Sequence, residues 1–226
     1  MNPMTRLLVA AALFLATHYV SSTPLRARLI RGLGTNGYLL LYSAIAFVTL
    51  AAMVWAYYRA PYIGLWHAPL LRYVPLVVMP AAFILMACGL LTPNPTMVGA
   101  DRLLHSAEPA RGILRVTRHP LMWGIALWGA AHLLARGDVA ALVFFGSFTV
   151  LAMSGTALID RRKRAASGEL WQRYARVTSN IPFAAIAAGR NRFSAREIGW
   201  SRPAAGLALY AVGLWLHPIL FGARPY

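Results

Sequence analysis

Six apolar runs punctuate this 226-residue chain, at about 5–22, 37–58, 73–91, 119–135, 139–158 and 203–221. Each ends at charge, Pro or Gly, and each has about the length an α-helix needs to cross a hydrocarbon core of ~30 Å. Once in lipid, every backbone N–H and C=O must be satisfied inside its own segment, so such runs fold as helices. The predicted architecture is therefore an all-α, polytopic transmembrane helical bundle of about six spans in a single domain, 1–226. Composition agrees: 59% of residues are hydrophobic and only 12% charged, about half the charge of a soluble domain. Pro75 and Pro80 predict a kinked third span. The stretch 183–189 is too short to cross and is expected at the interface.

The net charge of +16 would suit a nucleic-acid partner, but its distribution favours a membrane lipid surface instead. Three basic residues (Arg26, Arg28, Arg31) lie in the first loop and four (Arg102, Arg111, Arg115, Arg118) in the third. Ten more lie between the fifth and sixth spans: Arg161, Arg162, Lys163, Arg164, Arg173, Arg176, Arg190, Arg192, Arg196 and Arg202. Only five, Arg6, Arg59, Arg72, Arg136 and Arg224, fall on the opposite side. The positive-inside rule then predicts a cytoplasmic basic side and both termini outside, periplasmic if the membrane is a bacterial inner membrane. The Arg and Ala bias fits a GC-rich bacterial source. The first run carries its positive charge after the apolar stretch, as an uncleaved anchor does and a signal peptide does not. The one cysteine, Cys88, lies within an apolar run and reads as a small buried hydrophobe.

Histidines stand out against this background. His18 and His132 lie inside spans, His119 opens the fourth, and His217 lies near the end of the sixth. An imidazole in hydrocarbon needs a partner or a cofactor. Depth alone pairs His18 with His119, and His132 with His217. His132 lies 13 residues beyond His119, about 20 Å along a helix. Thr117-Arg118-His119-Pro120 is the sharpest local motif. Pro120 suits a first helical turn and Arg118 a membrane-surface anchor. Trp123, Trp128, Phe14 and Tyr19 are aromatic enough to pack a flat macrocycle, or simply each other. His67 reads as a surface residue. His105 and Glu108 lie in the third loop, where Arg111, Arg115 and Arg118 would share a face if the loop were an interfacial helix. On that face they could meet the anionic edge of a cofactor.

The pattern Phe14…His18…Pro24-Leu25-Arg26, with Arg118-His119-Pro120…Trp128…Ala131-His132, resembles the NnrU family of bacterial membrane proteins, across roughly residues 4–185. That family is named for a denitrification-linked role, and the plant 15-cis-zeta-carotene isomerases are related to it. The resemblance implies an integral membrane protein that binds haem b, with a redox or nitric-oxide-linked role and a possible membrane redox partner. It implies His18 and His132 as axial iron ligands, with Arg118 and His119 also at the cofactor; the depth pairing of His18 with His119 stays open. Gly129 stands where the isomerases carry a cysteine, so a histidine-to-cysteine ligand switch is unavailable here.

A second constellation, Arg118-His119-Pro120 with Asp160…Gly168…Trp171…Tyr174…Pro182, is similar to membrane methyltransferases of the isoprenylcysteine carboxyl type. That resemblance implies S-adenosylmethionine at the cytoplasmic face. Ile159 replaces the first of that pattern's two glutamates, and Ser167 its phenylalanine. No phosphate-binding glycine loop, metalloprotease helix or nucleophile elbow is present.

Overall fold

The computed structural model describes residues 1–225, and among them the secondary structure is helical, with one isolated β-bridge between Gly64 and Asp138. The helices are α1 (Pro3–Val20), α2 (Pro24–Arg59), α3 (Val74–Leu91), α4 (Pro120–Arg136), α5 (Val139–Val177), the single turns α6 (Ala184–Ala187) and α7 (Ala195–Ile198), and α8 (Ser201–Phe221). A 3₁₀ turn, Pro69–Tyr73, leads into α3. Five of these segments are long and apolar enough to cross a membrane: α1, α2, the Pro69–Leu91 segment, α5 and α8. The sixth predicted span, α4, has 17 residues and packs between α3 and α5.

Local chemistry sets the ends. Asn2 caps α1 by accepting the Thr5 N–H at 2.7 Å, and Asp138 caps α5 by accepting the Ala141 N–H at 2.9 Å. Pro24 and Pro120 occupy first turns, where no N–H is needed. Gly137 adopts φ 62° to close α4, a conformation that costs a Cβ-bearing residue.

Two elements overrun their predicted limits. α2 begins at Pro24 rather than 37, because a bend at Gly34 (φ 70°) joins a short basic helix to the span. α5 leaves the predicted span near 158 and continues to Val177 through a bend at Gly168. Of the two prolines in α3, Pro75 falls in the first turn and Pro80 lies inside the helix, which runs on to Leu91. The third loop is not one interfacial helix. It folds as two short 3₁₀ turns, Asp101–His105 and Gly112–Arg115, which scatters Arg111, Arg115 and Arg118 onto different partners.

Small residues bring the helices together. A Cβ on Gly89 would stand 2.7 Å from the Leu121 nitrogen of α4, and one on Gly129 2.5 Å from Thr149 Oγ1 and 2.9 Å from the Phe145 carbonyl of α5. Gly206, the one buried residue of α8, lies against the backbone of Phe83 and Ile84 in α3. Lipid offers no hydrophobic drive between helices, so close backbone approach is what packs them. α1 and α2 seat Leu7, Phe14 and Met53 on Phe144 and Phe145 of α5. Outward faces stay apolar: Phe47 is 73% exposed and Val77 79%, which suits a surface solvated by lipid.

Candidate functional site

Two places gather the candidate residues, one at each end of the bundle. At the basic end, His119 immediately precedes α4, and Asp160 sits where α5 leaves the membrane. Arg118 donates from Nε to both Asp160 oxygens at 3.0 Å and from Nη2 to Oδ2. His119 donates from Nε2 to Oδ1 at 2.7 Å. Burial by itself would raise the carboxyl pKa, but the bonds from His119 and Arg118 outweigh it and hold Asp160 below its usual range. The Arg118 guanidinium lies 5.9 Å from the Trp171 ring centroid, and Trp171 packs on Tyr174 at 5.5 Å.

Behind this cluster, the Arg118 N–H donates to Ser179 at 3.0 Å, Thr117 Oγ1 to the Asn180 carbonyl at 2.5 Å, and Trp123 Nε1 to the same carbonyl at 2.8 Å. Asp160, Trp171 and Tyr174, grouped by the methyltransferase-like pattern, do come together around Arg118-His119. Three of their buried polar atoms, His119 Nδ1, Trp171 Nε1 and Tyr174 OH, have no protein partner. Gly168 supplies the bend between Asp160 and Trp171.

Two further ion pairs close this end. Arg115 binds Glu197 through Nε (2.7 Å) and Nη2 (2.8 Å), and the Gly112 N–H adds a third bond to the same carboxylate. Lys163, buried, reaches Asp101 at 2.8 Å and the Met97 carbonyl at 3.0 Å. Sequence reading missed both pairs, whose partners lie 82 and 62 residues apart. No local periodicity signals such a contact. Arg111 and Glu108 form an exposed pair, and His105 and His67 are exposed.

At the opposite end lies an apolar groove of about 730 Å³, within the ~300–1,000 Å³ typical of small-molecule and cofactor sites. α4 and α5 contribute Trp128, His132, Phe144, Phe145 and Phe148, α3 adds Met79 and Phe83, and the ends of α2 and α8 flank them. Tyr58, Tyr62, Leu220 and Phe221 at the rim are exposed, so the groove opens at the far end of the bundle. His132 stacks on Phe145 at 5.0 Å, and its Nδ1 lies 2.8 Å from the Trp128 carbonyl. A carbonyl only accepts, so Nδ1 carries the proton and Nε2 keeps a free lone pair.

His18 stands elsewhere. Its Nδ1 donates to the Phe14 carbonyl at 2.7 Å, and its ring meets Phe14 and Tyr42. It does not line the groove. Phe14, Phe148 and Trp128 form a chain of rings between His18 and His132. Phe14 and Trp128 both touch Phe148; His18 lies one turn from Phe14 toward the basic end, and His132 one turn from Trp128 the other way. His18 and His119 share no partner: His119 bonds Asp160, whereas His18 packs on Phe14 and Tyr42.

Fold and sites define a class: a polytopic helical membrane protein with a histidine-bearing groove at one end and a buried Arg-His-Asp cluster at the other. The NnrU protein family model matches residues 6–225, and the chain belongs to that family. It is similar to the chloroplastic 15-cis-zeta-carotene isomerase of Zea mays, 37% identical over 81 residues, 36% of this chain and 22% of the maize protein. The Arabidopsis thaliana enzyme of the same name is 39% identical over 79 residues, 35% of this chain and 22% of that protein. The match thus spans under a quarter of these relatives' length. No solved structure matches the chain.

Proposed function

We propose that this is a haem b-binding protein of a bacterial inner membrane, with a redox or nitric-oxide-linked role and its basic end in the cytoplasm. The observation that carries this reading is His132. It is an imidazole inside a groove of aromatic and aliphatic side chains, with Nε2 left free to ligate a metal. The groove's size and ring-rich walls fit a macrocycle. His18 does not fit as its partner on one porphyrin: it does not line the groove, and the rings of Phe14, Phe148 and Trp128 stand between the two imidazoles. Haem bound here would supply one-electron chemistry.

The chain's own part is to hold the group and keep bulk water out while the rim admits molecules from the lipid phase. A membrane redox partner would approach at the same rim. The test is the visible spectrum of protein purified from haem-replete cells. A Soret band with a haem b haemochrome is expected; a colourless folded protein overturns the reading.

The name of these relatives suggests an alternative within the haem reading, a zeta-carotene-isomerase-like haem isomerase. Gly129 separates this chain from the cysteine-bearing pattern, and a cysteine there would meet Thr149 and Phe145. A second reading, an S-adenosylmethionine-dependent methyltransferase-like protein, is favoured by the three unpartnered polar atoms beside Arg118 and Asp160. Calorimetry should then show S-adenosylmethionine binding that is lost in Arg118→Ala and Tyr174→Phe; no binding to the folded protein removes this reading.

A further inference from the structure

The groove holds a second imidazole. We infer that His217, not His18, is the partner of His132, so that a haem in the groove is held between α4 and α8. The inference rests on the haem reading above and names its second ligand.

Three observations carry it. First, depth: α4 and α8 both run from the basic end to the far end, and each histidine sits four residues before its helix's last residue, Arg136 or Phe221. Second, placement: both line the one groove. Third, orientation. The His217 Nδ1 donates to the Ala223 carbonyl at 2.7 Å. That bond is not the intrahelical one that any helical histidine can make to the residue four before it. Gly222, at φ 65°, ends α8 and turns the chain back, so that Ala223 and Pro225 also line the groove. The turn fixes one tautomer of His217 and leaves its Nε2 free, as at His132.

An imidazole retained in a dry apolar groove costs free energy unless it is used, and two with matched tautomers and depth point to one shared metal. The porphyrin's carboxylates have a partner at the same level. Arg136 lines the groove, is half-exposed, and meets Asp138 through Nε alone at 3.3 Å. Its other N–H groups are left for an anionic edge. Met79 also lines the groove and is the competing iron ligand.

The experiment compares purified wild-type, His132→Ala, His217→Ala and His18→Ala proteins by visible, near-infrared magnetic circular dichroism and electron paramagnetic resonance spectroscopy. Wild type is expected to show low-spin iron with two imidazole ligands. His217→Ala should lose that signal for a high-spin one, and added imidazole should restore it. His18→Ala should leave the spectrum unchanged. His217→Met, keeping bulk and an iron-binding atom, should convert the near-infrared signature to the histidine–methionine type. Gel filtration monitors folding, so a variant that aggregates is replaced by this second one. A coloured wild type whose spectrum survives both His217 variants overturns the inference while leaving the haem reading standing. A signal lost in His18→Ala, or a sulfur-ligand signature in wild type, overturns it equally. A colourless wild type overturns the haem reading itself.

Discussion

Gly206→Ala should loosen α8 far more than its size suggests. The added Cβ would lie 2.7 Å from the Phe83 carbonyl, 2.8 Å from Ile84 Cα and 2.9 Å from Ile84 N. All three are backbone atoms of a packed helix, so no rotamer relieves the clash and α8 must back away by about half an ångström. Overpacking costs ~1–3 kcal/mol, and with rigid backbone on the other side the upper part of that range applies, about 2–3. Replacing Gly by Ala within a helix returns ~1 kcal/mol, leaving a net loss of about 1–2 kcal/mol. At ~2–4 °C per kcal/mol for a chain of this size, Tm should fall by about 2–8 °C. Gly213 provides the control on the same helix: its nearest neighbour is the Phe83 ring edge at 3.8 Å, an ordinary contact. Gly213→Ala should therefore raise Tm or leave it unchanged. Tryptophan fluorescence during heating in detergent reads both. Equal tolerance of the two substitutions would refute the claim that Gly206 sets the docking distance of α8, and with it the position of His217.

Asp160→Ala strands two groups that share one carboxylate, Arg118 and the buried His119, and should cost ~3–5 kcal/mol; a Tm within 2 °C of wild type would show that the cluster is solvated. Stability should fall on acidification. Bonds from Arg115 and then Gly112 draw Glu197 down to about 2, so its contribution is complete above its unfolded pKa of ~4.3 and is lost as pH drops toward 2. Asp160 shifts in the same direction and adds to the loss. Melting curves from pH 7 to pH 3 should therefore decline most steeply below ~4.5, and Glu197→Gln should flatten part of that decline; an unchanged profile would argue against the Arg115 pair. Tyr174→Phe removes a buried hydroxyl with no protein partner, so Tm should hold or rise by the equivalent of ~1 kcal/mol. A clear fall would mean the hydroxyl binds a water or ligand.

Much of this protein was legible in its one-dimensional pattern, because lipid leaves a chain few options. An apolar run of the right length becomes a helix whatever its neighbours do, so the spans near 5–22, 73–91 and 203–221 fall within a few residues of their helices. Arg118-His119-Pro120 was also readable as a local motif at the start of a span, and Asp160…Trp171…Tyr174 was readable only through its resemblance to a methyltransferase pattern. Which faces meet was not readable. That choice depends on where small residues let backbones approach, at Gly89, Gly129 and Gly206, and it decides that a chain of aromatic rings parts His18 from His132. Nor could spacing reveal Arg115 with Glu197, or the turn at Gly222 that carries Ala223 back to His217. Hydropathy records how deep a residue lies along its own helix; only packing fixes which side chains share a cavity at that depth, because rotation about each helix axis is set by its neighbours.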